Sequence, residues 1–156
     1  MKIRKAQAKD IDSILKLLSQ VLEIHAKIRP DIFISGTTKY TREELLEILN
    51  DNSRPVYVAE SDSGIVGYAF CIVREAAFST TMHPKKSLYI DDLCVDGSVR
   101  GKGIGKALFS YVKSEAKHLS CSEVTLAVWH GNDSAMAFYE RQGMTPKETI
   151  MEIKID

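Results

Sequence analysis

Four of the nine glycines in this 156-residue chain fall within one run, Gly97-Ser98-Val99-Arg100-Gly101-Lys102-Gly103-Ile104-Gly105. The run follows Leu88–Val95, which reads as a strand. It precedes Ile104, Ala107, Leu108, Tyr111 and Val112, whose spacing marks one helix face. Glycine permits positive φ and close backbone approach. The first turn of the following helix carries N–H groups with no partner inside the helix. A junction of this kind suits an anion, and Arg100, Lys102 and Lys106 add positive charge beside it. The run reads as a phosphate or pyrophosphate cradle; the alternative is a turn that only packs helix on strand. A dinucleotide fingerprint would need its glycines near the first strand and an acidic residue about 20 positions on, and a P-loop would need G-x-x-x-x-G-K-S/T. Neither pattern is present.

The chain around this junction alternates strand and helix signals. Lys2–Gln7 reads as a first strand. Ile11, Ile14, Leu15, Leu18, Val21, Leu22 and His25 form a helical stripe that Asp10 is placed to cap and that Arg29-Pro30 ends. Thr41 and Glu44 have the spacing of a capping box, predicting a helix over 41–49. Val56–Glu60 and Ile65–Arg74 flank Ser61-Asp62-Ser63-Gly64 as a hairpin, and 76–86 reads as a loop. Val124–Val128 is a short strand. A helix opening at Asn132/Asp133 stops at Gly143, with Met144 placed to pack back on Tyr139, and Thr149–Ile153 reads as a closing strand. The order predicts one mixed α/β domain over residues 1–156.

Composition removes several classes. Lys and Arg total 21, as do Asp and Glu, so the chain is neutral and unlike a general nucleic-acid binder. No apolar run approaches the roughly 18 residues of a membrane helix, and the start predicts no secretory signal. Cys71, Cys94 and Cys121 are odd in number and widely spaced, and the four histidines lack metal-ligand spacing. The expectation is a cytoplasmic, metal-free protein with no nucleic-acid or membrane partner. It is open to homodimer formation, two-fold dimers being the commonest assembly.

Two motifs resemble the GCN5-related N-acetyltransferases. Arg100-Gly101-Lys102-Gly103-Ile104-Gly105 matches the family's R/Q-x-x-G-x-G/A loop. Asn132-Asp133-Ser134-Ala135-Met136-Ala137-Phe138-Tyr139-Glu140-Arg141-Gln142-Gly143-Met144 is similar to its N-x-x-A-x-x-F-Y-x-x-x-G-F segment, with Met144 in place of Phe. The resemblance is specific over 88–146. It implies a mixed, mostly antiparallel central sheet with helices on both faces and acetyl-CoA as cosubstrate. The pyrophosphate would lie on residues 100–106, with Leu93, Val95 and Asn132 along the pantetheine arm and the Leu93 N–H facing the thioester oxygen. It further implies transfer of the acetyl group to a primary amine, of a small molecule or a peptide, by direct attack in a ternary complex.

The chemistry asks for a proton acceptor, an oxyanion donor and a proton for the leaving thiolate. Tyr139 is the candidate acid, its phenol being near a thiol in basicity; the alternative is a packed ring. Asn132 is at once a candidate CoA contact and an ordinary helix N-cap. Some relatives carry a Glu where Ala127 stands here. Asp91 and Asp92 are the remaining candidates, to take a proton through water or to hold a cationic amine, and a carboxylate within an apolar strand is costly unless it is hydrogen-bonded or useful. The alternative is a bulge that turns one of them to solvent. The pair favours a small, polyamine-like acceptor. His25, Arg29, Pro30 and Phe33 stand where relatives build an acceptor wall, though His25 also continues an apolar stripe. Tyr68, Phe70 and Trp129 are pocket or core. The competing function is a silent acyl-CoA sensor, which the Ala127 substitution favours and Tyr139 opposes.

Overall fold

The computed structural model describes residues 1–156. Five strands form one sheet in sequential order: β1 (Lys2–Lys5), β2 (Val56–Ser61), β3 (Gly64–Glu75), β4 (Lys86–Val95) and β5 (Glu123–Leu126). The first three pairings are antiparallel and the last, β4 with β5, is parallel. The fold is α/β, with the mixed, mostly antiparallel sheet that the motifs imply.

Helices α1 (Ile11–Ile28) and α2 (Arg42–Asn50) cover one face. Ile11, Ile14, Leu18, Leu45 and Ile48 pack there on Val56, Val58, Tyr68 and Phe70. The predicted capping box forms: the Thr41 hydroxyl accepts from the Glu44 N–H, and the Glu44 carboxylate accepts from the Thr41 N–H. Asp10 does not cap α1 through its side chain. Its buried carboxylate instead accepts two hydrogen bonds from Arg4, at 2.7 and 3.0 Å, and one from the Gln7 N–H at 2.8 Å. A buried charge requires such partners, and a guanidinium from β1 outcompetes the local capping geometry.

Helix α3 (Ile104–His118) covers the other face, where Phe109, Val112 and Ala116 pack on Tyr57, Cys71, Leu88 and Ile90. Helix α4 (Asp133–Arg141) adds Phe138 and Tyr139 to this cluster. Gly143 ends α4 at φ +89°, and the Met144 N–H donates to the Tyr139 carbonyl at 3.1 Å, the six-to-one bond of a Schellman ending. The expected closing strand over 149–153 does not form. Its alternating pattern is genuine, but a strand needs a neighbour for its backbone, and no main-chain hydrogen bond of the chain involves residues 145–156.

Candidate active site

Strand β4 is the spine of the site. It pairs with β5 only over Ser87–Ile90, opposite Glu123–Leu126. From Asp91 to Val95 it has β3 on one side and no strand on the other. Leu93 and Val95, opposite Ala69 and Gly67, lie on this one-sided stretch, whose outward edge no strand pairs.

The glycine run lies at the end of that opening. Asp96 accepts from the Ser98 N–H and hydroxyl, closing a turn. Gly101 and Gly103 have φ of +80° and +78°, and a Cβ built on either meets nothing within 4 Å. The constraint at these positions is therefore backbone conformation rather than packing. Gly103 caps α3 with no side-chain bond, and the N–H groups of Ile104, Gly105 and Lys106 have no partner in the chain. The Ile104 side chain is buried in the core, so only its backbone serves the turn. Gly105 brings α3 against α4, a Cβ there lying 3.3 Å from the Phe138 ring. Lys102 and Lys106 are exposed without a carboxylate partner, and Arg100 donates from Nε to the Val95 carbonyl at 3.2 Å. Unpaired N–H groups, positive φ and three cations that no carboxylate neutralises fit a phosphate-bearing ligand.

The two aspartates share one face of the sheet. Phe70 is opposite Asp92 and Cys71 opposite Ile90, so the register skips Asp91. In an unbroken strand consecutive side chains point to opposite faces. The bulge at Asp91 removes that alternation. Asp91 accepts from Lys39 Nζ at 2.7 Å and from the Tyr40 hydroxyl at 3.2 Å. Asp92 accepts from the Tyr68 hydroxyl at 2.8 Å, and Tyr40 and Tyr68 both pack on Phe70. Burial pushes the Asp92 carboxyl up to about 6, against the opposing pull of the Tyr68 hydroxyl and the Lys39 charge. Lys39 is held above its ordinary value: burial favours its neutral form, and the Asp91 carboxylate outweighs it.

Tyr139 is half-buried between Phe109 and Phe138, and its hydroxyl makes no hydrogen bond within the chain. Burial raises its pKa, and the Asp92 charge adds to the rise. Asn132 caps α4: its Oδ1 accepts from the Ala135 N–H at 3.3 Å, which leaves its amide N–H groups uncommitted. Tyr139 and the Asp91/Asp92 pair come from distant parts of the chain: the tyrosine sits in the α3–α4 cluster that Leu93 borders, and both aspartates bond to side chains on the α1–α2 face. Around the end of α1, His25 packs on Phe33, Phe33 meets Trp129 edge-on, and Arg29 lies over the Trp129 ring. Tyr68 and Phe70 are buried in the core, Tyr68 keeping a polar tip on Asp92. Sequence reasoning missed Lys39 and Tyr40. They lie about 50 residues from Asp91 in a loop without a motif, and only the folded sheet brings them to it.

A one-sided central strand that ends in a glycine turn at a helix N-terminus gives an α/β domain with an open, cationic turn suited to a phosphate group. Comparison with known proteins agrees. Residues 18–144 match the acetyltransferase (GNAT) family, and the chain belongs to it. A thialysine N-epsilon-acetyltransferase of Bos taurus is 28% identical over 150 residues, covering 90% of this chain and 82% of that protein. A Bacillus halodurans protein, solved in mutant form, is 32% identical and superposes with a TM-score of 0.95 over 99% of both chains. An aminoglycoside N-acetyltransferase solved with CoA shares the fold at 15% identity, with a TM-score of 0.75 over 99% of both chains.

Proposed function

We propose that this chain transfers the acetyl group of acetyl-CoA to the primary amine of a small cationic acceptor, by direct attack in a ternary complex. The observation that carries the reading is the open stretch of β4, which ends in the glycine turn and holds Asp91 and Asp92, with the unpartnered Tyr139 hydroxyl in the α3–α4 cluster that Leu93 borders. Residues 100–106 would hold the pyrophosphate on the α3 N-terminus. Leu93, Val95 and Asn132 would line the pantetheine arm, with the Leu93 N–H donating to the thioester oxygen as charge develops there.

The amine enters from the α1–α2 side as an ammonium, which Asp91 attracts. Asp92, half ionised near pH 6, accepts its proton directly or through water. The C–N bond forms as the C–S bond breaks, and the thiolate takes the Tyr139 proton. A phenol whose ionisation is suppressed remains a protonated donor throughout the neutral range. The thialysine acetyltransferase relative supports an aliphatic ammonium as acceptor.

Incubation with acetyl-CoA and a panel of amines, read as thiol release, tests this reading. Release with diamines or lysine-like amines is expected. Tyr139→Phe is expected to lose roughly 10²–10⁴-fold in turnover, the range of a general acid, while retaining CoA affinity. Tight CoA binding without release for any amine would identify an acyl-CoA sensor instead, the reading that Ala127 favours.

A further inference from the structure

The sheet face that α1 and α2 cover is left open at one end. Phe70 belongs to the core beneath them, but Ile72, the next β3 residue on that face, is only half-buried. Tyr89, its partner on β4, lies on the same face, because its neighbours Leu88 and Ile90 belong to the α3 cluster. The ladder between β2 and β3 also continues past Val56. The Cys71 N–H donates to the Pro55 carbonyl at 2.9 Å, and the Val73 N–H donates to the Ser53 carbonyl at 2.8 Å. Arg54 falls between those two bonds, beside Ile72. Its guanidinium lies 6.0 Å from the centroid of the Tyr40 ring, and the Arg74 guanidinium lies 3.6 Å from the centroid of the Tyr89 ring. Ile72, Tyr40 and Tyr89 make a floor that the two arginines rim. The Tyr40 hydroxyl joins this floor to Asp91.

We infer that Arg54 and Arg74 form an anion subsite for the acceptor, which carries a carboxylate at the far end of an aliphatic chain from its reacting amine, as a lysine-like amino acid does. The inference rests on the proposed amine acetylation and narrows its substrate class. Charge is the first argument. Lys39 is matched by Asp91 at 2.7 Å, and Lys86 reaches Glu75 at 3.7 Å. Arg54 and Arg74 have aromatic neighbours and no carboxylate partner. Asp51, close to Arg54 in sequence, accepts instead from the Ser53 N–H and hydroxyl. The far ammonium of a diamine would meet like charge at this rim. A carboxylate there would gain charge-assisted bonds from the planar guanidinium forks. Spacing is the second argument. Asp92 stands opposite Phe70 and Tyr89 opposite Ile72, so the proton acceptor and the arginine rim belong to neighbouring rows of one face. Rows two residues apart along a strand are separated by about 6–7 Å. The amine nitrogen and carboxylate carbon of extended lysine are about 7–8 Å apart at single-bond lengths of about 1.5 Å.

Steady-state thiol release from acetyl-CoA with lysine and with cadaverine, which differ only in the carboxylate, is the test. The native chain is expected to favour lysine in kcat/KM by roughly 10- to 100-fold, the scale of a hydrogen bond to a charged group. In Arg54→Gln/Arg74→Gln the KM for lysine is expected to rise by that factor with kcat little changed, while the KM for cadaverine falls because the like charges are gone. A purely structural role would move both KM values the same way. Arg74 is exposed, so Arg74→Gln alone carries the test, with the same opposite shifts, if the double variant fails to fold. Equal use of the two amines by the native chain, or KM values that move together in a folded variant, would overturn the subsite and leave the acetyl transfer standing. Absence of release with every amine would overturn the transfer itself, and the subsite with it.

Discussion

In the proposed site, Asp92 combines the cost of burial with the role of proton acceptor. Its pKa is raised to about 6 by burial, whereas the ordinary value is 3.8. Between those values the folded chain binds more protons than the unfolded one, so stability falls as pH rises through this window and the penalty is complete above pH 6. Asp92→Asn keeps an oxygen for the Tyr68 hydroxyl and removes the charge. It is expected to be more stable than the native chain at pH 8, by on the order of 1–3 kcal/mol, and equal to it near pH 3. Denaturant titrations at the two pH values check this. In the native chain kcat/KM is expected to rise through about pH 6, and in the variant this limb should disappear. Lys39 belongs to the same balance. Its ammonium occupies the Asp91 oxygen that a cationic acceptor would seek. Lys39→Met is expected to lower KM for diamines by roughly 3- to 10-fold, the scale of a partly exposed ion pair, and to move the acid limb upward, because the Lys39 charge favours the Asp92 carboxylate. An unchanged KM would separate Lys39 from acceptor binding.

Among the elements, β1 and β5 are the two edge strands, each of four residues. On β1, Arg4 joins three segments: Nε and Nη2 donate to Glu60 on β2, and Nη1 and Nη2 donate to Asp10 at the entry to α1. Burial alone would raise the Asp10 pKa, but the Arg4 bonds reverse this and hold it below its ordinary value. Asp10 therefore contributes stability that is present above about pH 4 and lost as pH falls through its lowered folded value. Arg4→Met leaves that carboxylate buried without its partner. A loss of about 2–4 kcal/mol at pH 7 is expected, shrinking toward acid pH as Asp10 protonates; chemical denaturation across pH measures both. The helix boundaries at α2 and α4 were legible because capping chemistry is local: Thr41 with Glu44, and Gly143 with Met144, act within a few residues. The Asp10 assignment failed for the complementary reason, since the stronger partner arrives from another strand.

At the scale of the molecule, β4 divides two half-sites. The α3–α4 side carries the glycine turn and Tyr139, and the α1–α2 side carries Lys39, Tyr40 and the aromatic group of His25, Phe33 and Trp129. Trp129 is the only tryptophan and lies between Phe33 and Arg29, partly exposed. Its fluorescence is expected to respond to acceptor amines and to lose that response in Phe33→Ala. A response to CoA alone, with none to any amine, would place the acceptor elsewhere. Arg29 also binds Glu152 of the segment after α4, at 2.8 Å.

The glycine turn, the Asn-to-Gly helix and the class of fold were determined by the sequence alone. Positive φ, helix capping and the alternation of strand with helix are properties of neighbouring residues, and neighbours are what a sequence lists. The placing of Asp91 and Asp92 on one face was not, because it depends on a bulge set by register against β3. Nor were the Lys39 and Tyr40 partners, the Arg4–Asp10 pair, or the failure of 149–153 to become a strand within its own chain. Each of these turns on which distant group arrives first to satisfy a charge or a backbone donor, and only the packed structure decides that.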